Sequence, residues 1–119
     1  PEWVRTELPG LPALMADYRL FFHQARYTSL GLAVIEAMIV GLPVVGLATT
    51  ELPTVIENGR SGFIDTRPEA LIDAMRMLLR EPALARELGA RGRAMALERF
   101  HIDRFVADWN RALTRVTEL

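Results

Sequence analysis

The residues whose types and spacing could bind a ligand lie between Thr28 and Glu36, where a helix is predicted to begin. A helix starting there leaves backbone N–H groups near Gly31 without partners, and together with the positive end of the helix dipole they attract anions such as phosphate. Gly31 would also let a phosphate approach the backbone closely. The alternative interpretation is that Thr28 or Ser29 simply caps the helix and that Gly31 serves packing.

Glu36 is the second candidate, because it stands alone in an otherwise apolar helical segment. Its neighbours one turn away are all apolar, so a buried carboxylate is predicted, and a buried carboxylate needs a partner. At about 1.5 Å per residue, Glu36 lies roughly 7.5 Å along the helix from Gly31. That separation is comparable to the one between the diphosphate and the ribose hydroxyls of a nucleotide. A ribose diol is therefore one predicted partner, and a structural ion pair with Arg26 or Arg60 is the other.

Alternating strands and helices are predicted to position these residues. Short apolar runs at 19–23, 43–47 and 62–65 are typical of parallel strands. Helices are predicted at 11–18, 31–40 and 52–57, then from Pro68, from Pro82 and from about Asp103. The fold class is thus α/β, the C-terminal part of a Rossmann-like domain with about three parallel strands, flanking helices and a helical C-terminal tail. We expect an irregular lead-in at 1–10 and the partial domain at 11–119.

The composition narrows the possible functions. With 119 residues and a formal net charge of −1, the chain is expected to form one domain or a piece of one, with no nucleic-acid partner. It contains no cysteine and only two histidines, which argues against a metal site, and no cofactor motif is found. All fourteen basic residues are arginine, which excludes lysine Schiff-base chemistry. Neither a membrane span nor a signal peptide is predicted, and the expected location is the cytoplasm.

Other residues with possible functions keep two interpretations each. His23, at the end of a predicted strand, either lines the cleft or is a neutral hydrogen-bonding residue, and His101 caps or precedes the last helix. Phe105, Trp109 and Leu113 form a stripe that faces either a partner or this domain's own core. The arginines between 83 and 100 are interpreted as a solvated helix face.

The segments TSLGLAVIEAMIVGLPVVGLA (28–48) and ELPTVIENGRSGFI (51–64) resemble the nucleotide-sugar-binding signature of retaining GT-B glycosyltransferases, a group that includes bacterial mannosyl- and glucosyltransferases. The family motif has a loop E-S-F-G-L, a helix ending in E-A-M-A-x-G-x-P-V-V, and then P-E-V-I-x-x-G-x-x-G-F/L-L/V. The resemblance is close over about residues 26–64, and the trailing helices with their LERF stretch extend it to the C terminus.

The resemblance implies a role for each matching residue. Glu36 falls on the second acid of the family's E-x7-E pair, which binds the ribose hydroxyls of the donor. The positions whose backbone amides meet the donor diphosphate and sugar are Leu30, Gly31 and Leu32. In the family the first acid of the pair contacts the donor sugar, and at that position this chain has Thr28, followed by Ser29. The family also has a glutamate after the proline of the next loop, where this chain has Thr54. These departures imply altered donor-sugar selectivity or weak catalysis.

The function implied by the resemblance is that of a donor-binding half-domain. The complete enzyme would transfer a hexose from a UDP- or GDP-sugar to an acceptor, with retention and without a required metal. The family's diphosphate-binding arginine and lysine and its N-terminal domain lie outside this chain, so the fragment alone is expected to be inactive. Two alternatives remain, a sugar-nucleotide epimerase on the same scaffold and a non-catalytic nucleotide-binding or interaction module.

Overall fold

A computed structural model describes residues 10–118 and shows one parallel sheet with the strand order β1-β2-β3. The strands are β1 (Phe21–His23), β2 (Val44–Leu47) and β3 (Gly62–Asp65). The helices of the described range are α1 (Leu11–Ala16), α2 (Leu32–Val40), α3 (Leu52–Val55), α4 (Pro68–Arg80), α5 (Pro82–Arg99) and α6 (Ile102–Thr117). The predicted α/β class and order of elements are confirmed. The irregular lead-in predicted at 1–10 lies outside the described residues, except for Gly10.

The central strand β2 carries the core on both of its faces. Val44 pairs with Phe21 of β1 and with Gly62 of β3, and successive side chains of β2 point to opposite sides of the sheet. On one side, Val44 packs with α2, α3 and Ala96 of α5. On the other side, Val45 packs with α4 and the first half of α5. This double burial explains why β2 is a continuous apolar run rather than an alternating one.

α2 is buried on one side only. Its buried residues, Val34, Ala37 and Met38, face β2 and α5, and it ends at Gly41 in the left-handed conformation, with φ 93°. The opposite side, with Leu32, Ala33 and Glu36, is exposed. The prediction of a helix buried on most sides is therefore wrong, because the described elements cover only one of its faces.

α5 lies close against the C-terminal end of α2. A Cβ atom added at Gly89 would lie 2.8 Å from the carbonyl carbon of Gly41 and closer still to the carbonyl oxygen, so only glycine allows this approach. Arg93 and Arg99 donate hydrogen bonds to the backbone carbonyls of Ile39 and Thr54. Both arginines are exposed, in agreement with the predicted solvated helix face, and they also join α5 to α2 and α3.

α6 has no buried residue. Its apolar stripe is between 47% and 68% exposed and comprises Ile102, Phe105, Val106, Trp109, Leu113 and Val116. Core packing of this stripe within the described chain, one of the two predicted possibilities, is therefore wrong. His101 caps the helix as predicted, since its Nδ1 accepts a hydrogen bond from the backbone N–H of Asp103 at 3.2 Å.

Asp65, at the end of β3, fixes the turn into α4. It accepts hydrogen bonds from Nε and Nη2 of Arg67 at 3.0 and 2.9 Å, and from the backbone N–H of Arg67 at 2.8 Å. The side-chain hydrogen bonds, followed by the backbone one, lower the pKa of Asp65 to about 2. A carboxyl group whose pKa is lower in the folded state stabilises the fold above its unfolded-state pKa, and this stabilisation is lost as the pH falls through the folded-state pKa.

We therefore expect Asp65→Asn to lower the free energy of unfolding at about pH 7, and the difference from the wild type to disappear as the pH falls from about 4 to about 2. Urea denaturation across this pH range measures the effect. Asp73→Asn is the control, because that exposed carboxylate lies 3.8 Å from Arg76 on the surface of α4 and should change little at either pH. A loss at Asp65→Asn that persisted at about pH 2 would contradict the expectation.

Candidate functional site

The N-terminal end of α2 lies next to the carboxyl edge of the sheet. The N-cap position is taken by Gly31 with φ 78°, and no side-chain hydrogen bond caps the helix among the described residues. Capping by Thr28 or Ser29 is therefore wrong. The backbone N–H groups of Leu32 and Ala33, in the first turn, have no partner within the helix. This end of α2 has the uncapped geometry in which anions bind at helix N-termini.

The side chains around this helix start differ in exposure. Leu30 is half-buried and packs against the core between α2 and β2, so its contribution to a ligand would come from its backbone. Leu32 is 77% exposed. Thr28 is half-buried and Ser29 is exposed. Together with Gly31, these four predicted site residues form one continuous segment that leads into α2.

Two threonines of the β2–α3 connection hold this segment from the side. Thr49 Oγ1 donates to the carbonyl oxygen of Ala25 at 3.4 Å, and Thr50 Oγ1 donates to the carbonyl oxygen of Ser29 at 3.0 Å. The sequence shows Thr49 and Thr50 only as part of a loop. From the sequence one can say only that each threonine has a hydroxyl that can donate a hydrogen bond. That the acceptors lie in the segment before α2 is seen only in the structure.

Glu36 is exposed, so the predicted burial of its carboxylate is wrong. It lines a cavity of about 330 Å³ between α1, β1 and α2 whose other lining residues include Met15, Tyr18, Phe21 and Ala33. Within the described residues Glu36 forms no ion pair, and Arg60 pairs instead with Glu57 at 3.1 Å. The ion-pair interpretation thus finds no support in the described part of the chain.

A second cavity, of about 480 Å³, lies where all three strands end. Its lining is more polar and comprises Arg26, Tyr27, Leu47, Thr49, Thr50 and Thr66. Arg26 is therefore placed at this edge of the sheet. Open α/β sheets bind their ligands in the crevice outside the carboxyl ends of the strands, and this cavity has that location.

His23 lies at the carboxyl end of β1, as predicted. Its ring stacks on Phe21 with 6.3 Å between the ring centroids, and its Cε1 lies 3.6 Å from the point where a Cβ on Gly31 would sit. Burial lowers the pKa of His23, which favours the neutral imidazole. Its side chain forms no hydrogen bond within the described residues, so packing beneath the start of α2 is what the structure shows for this ring.

Metal-ligand clusters and membrane-spanning helices are both absent from residues 10–118. No three His, Cys, Asp or Glu side chains lie close enough together there to hold a metal ion. None of the helices in this range has both the length and the hydropathy needed to cross a bilayer.

The chain matches a known protein family and is similar to several known proteins. The model of the family "Glycosyl transferases group 1" matches residues 6–95. The chain is 31% identical to N-acetyl-alpha-D-glucosaminyl L-malate synthase of Bacillus anthracis, over 80% of this chain and 25% of that protein. It is 32% identical to alpha-maltose-1-phosphate synthase of Mycolicibacterium smegmatis, over 82% of this chain and 28% of that protein. The chain therefore spans about a quarter of the length of these curated relatives.

Solved structures agree with the fold. The Anabaena protein HepE, in complex with UDP-glucose, aligns with a TM-score of 0.77 and 25% identity, over 88% of this chain and 30% of that one. Sucrose-phosphate synthase from Thermosynechococcus elongatus aligns with a TM-score of 0.68 and 28% identity, over 74% of this chain and 23% of that one. The predicted fold class, the C-terminal part of a Rossmann-like GT-B domain, is confirmed.

Proposed function

Because the chain belongs to the glycosyl transferases group 1 family, we propose that it is the donor-binding part of a retaining GT-B glycosyltransferase that uses a UDP- or GDP-hexose. The proposed partial donor-binding domain is 11–119, and the lead-in predicted at 1–10 lies outside the described residues, except for Gly10. The observation that carries the proposal is the uncapped start of α2 at Gly31, next to the carboxyl edge of the sheet. HepE, whose solved complex contains UDP-glucose, supports a UDP-sugar as the donor.

The start of α2 stabilises the donor diphosphate. The backbone N–H groups from Leu30 to Leu32 and the helix dipole face the place where negative charge grows as the bond between sugar and diphosphate breaks. Because these donors are backbone groups at fixed positions, they need little reorganisation during the reaction. This role requires no charged side chain, which fits a segment that carries none between Tyr27 and Ile35.

Glu36 binds the nucleoside. Its carboxylate accepts hydrogen bonds from the two ribose hydroxyls, and its exposure and the neighbouring cavity support this role. The lining of that cavity is mainly apolar, an environment in which the interaction of a charged acceptor with hydroxyl donors is stronger than in bulk water.

Thr28 and Ser29 contact the donor sugar. A hydroxyl group can donate and accept a hydrogen bond but carries no charge, so Thr28 contacts a sugar hydroxyl less strongly than a carboxylate does. The choice of hexose therefore depends on this position. Neither Thr28 nor Ser29 caps α2, which supports their assignment as residues that contact the donor sugar.

The remaining parts of the enzyme come from outside this chain. The chain spans about a quarter of the curated relatives, and its exposed apolar residues on α2 and α6, among them Leu32 and Trp109, support contact with an N-terminal domain. That domain supplies the acceptor site, so this polypeptide alone is inactive. A cytoplasmic location is proposed together with this activity.

Calorimetric titration of the complete enzyme with UDP, UDP-glucose and GDP tests the proposal, with Gly31→Ala as the first variant. We expect Gly31→Ala to weaken nucleotide binding about tenfold, because at positive φ an L residue is strained by about 1–2 kcal/mol and displaces the amides that follow. Gly59→Ala is a matched control, since Gly59 has the same φ of 78° but lies in the turn before β3.

The two variants should lose similar stability, and only Gly31→Ala should lose affinity. Equal affinity of Gly31→Ala and the wild type would remove the start of α2 from the diphosphate site. Failure of the complete enzyme to bind any of the three nucleotides would overturn the proposed function.

A further inference from the structure

We propose that Thr50 is a positioning residue for nucleotide binding. Its hydroxyl holds the carbonyl of Ser29, and this contact fixes the backbone amides at Gly31 and Leu32 where the diphosphate needs them. The inference rests on the proposed function, because the segment being positioned is the proposed diphosphate-binding one.

The backbone of Thr50 is unusual. With φ 52°, it is the one non-glycine residue at positive φ in the part of the chain that the structure describes. A β-branched side chain rarely adopts this conformation, which glycine or asparagine would occupy with less strain. In this conformation the Thr50 hydroxyl reaches a carbonyl 21 residues earlier in the chain, at a distance of 3.0 Å. The strained conformation thus coincides with a contact that glycine could not make.

The loop that carries Thr50 is itself anchored. The Ala48 N–H donates to the carbonyl of Asp65 at 3.0 Å, which ties the beginning of the loop to the end of β3. At the other end, Leu52 is 2% exposed and belongs to the core. Because both ends of its loop are held, Thr50 can keep the carbonyl of Ser29 in place. Movement of the segment before α2 relative to this loop is thus opposed.

The segment before α2 depends on this support. In the described chain, the hydrogen bonds that join residues 25–30 to another segment come from Thr49 and Thr50. The bond from Thr50 is the shorter of the two and acts two residues before Gly31, whereas the bond from Thr49 acts six residues before it. Thr50 is therefore the side chain best placed to control the start of α2.

Three variants of the complete enzyme separate the hydroxyl from the strain. Thr50→Gly removes both the hydroxyl and the strain, Thr50→Ser keeps the hydroxyl without the β-branch, and Thr50→Val keeps the strain and the branched shape but removes the hydroxyl. Two measurements are made on each, calorimetric titration with UDP and hydrogen–deuterium exchange of the amides at 34–36, which are the first hydrogen-bonded amides of α2. Exchange reports the mobility of the segment whether or not a nucleotide binds.

We expect Thr50→Gly and Thr50→Val to exchange faster at 34–36 and to bind UDP about 3- to 10-fold more weakly, as for the loss of one hydrogen bond. Thr50→Ser should remain within about twofold of the wild type in both measurements. A general loss of structure would instead speed exchange across the core strand β2, which these variants should leave unchanged.

Wild-type exchange at 34–36 in Thr50→Gly would overturn the inference and leave the proposed function standing. Faster exchange with unchanged UDP affinity would also overturn it, because the hydroxyl would then hold a segment that does not control binding. Absence of nucleotide binding by the wild-type enzyme would overturn the proposed function, and with it the role of Thr50 in binding. In that case the exchange comparison would still show whether Thr50 holds the segment.

Discussion

Gly89→Ala is expected to lower the free energy of unfolding by about 3 kcal/mol or more, whereas Gly92→Ala, on the same helix, should leave it unchanged or raise it by up to about 1 kcal/mol. Both substitutions improve the helix propensity of α5 equally, so propensity cannot account for a difference. What differs is the neighbour that the new methyl group meets. At Gly92 the nearest atom to the added Cβ is the carbonyl oxygen of Ser61 at 3.5 Å, which is ordinary contact.

At Gly89 the neighbour is the backbone carbonyl of Gly41, which cannot rotate away as a flexible side chain can. Gly41 is also the C-cap of α2, and its N–H bonds back to the helix, which fixes the carbonyl's position. α5 must therefore move away from α2, and that movement opens the packing around the fully buried Met38 and Leu88. Overpacking that moves a helix belongs to the more costly class of core substitutions.

Equilibrium urea denaturation of the wild type and both variants, followed by circular dichroism, measures this difference. Failure of Gly89→Ala to fold while Gly92→Ala folds would give the same order, since it would show that a Cβ at position 89 is not tolerated. Equal stability of the two alanine variants would show that Gly89 of α5 does not lie this close to the Gly41 carbonyl.

Glu36→Ala is expected to weaken UDP binding about 10- to 100-fold, because a hydrogen bond to a charged group contributes about 1.5–3 kcal/mol and we propose that this carboxylate accepts from the ribose. Glu36→Gln should fall between the wild type and alanine, since the amide keeps one acceptor oxygen but loses the charge. Because Glu36 is exposed and forms no ion pair within the described residues, both variants should unfold at nearly the wild-type urea concentration.

Glu98→Ala is the control for this measurement, since Glu98 is also an exposed helical glutamate but lies on α5. Its affinity for UDP should match that of the wild type. Calorimetry with the complete enzyme gives all four affinities. A folded Glu36→Ala enzyme that binds UDP as tightly as the wild type would exclude Glu36 from the nucleoside site.

The elements of this fold could be predicted because their sequence patterns are local. β2 was recognisable as a short β-branched run, and α4 and α5 begin at Pro68 and Pro82 as predicted. Burial could not be predicted as well. The apolar composition of α2 correctly shows that the helix avoids water on at least one side, but it cannot show which segments cover it, and Glu36 is on the side that the described residues leave open.

In the candidate site, too, features set by neighbouring residues could be predicted, and contacts between distant segments could not. Gly31 was predicted as the first residue of a helix, and the structure puts it one position earlier, at the N-cap. The same glycine explains why capping by Thr28 or Ser29 was wrong, since it occupies the position from which a cap acts. Thr49 and Thr50 were missed because their contacts cross from one loop to another, and no periodicity or motif in a single sequence encodes such a contact.

α6 follows Phe100, which is half-buried against the core, and His101, which caps the helix. With 16 residues the helix is about 24 Å long, so a rotation of about 10° at His101 carries its far end through about 4 Å. A small change in the backbone at His101 would therefore move the far end of α6 by several ångströms. Such a rotation would widen or narrow the cavity that Leu32 of α2 lines together with Phe105 and Trp109 of α6.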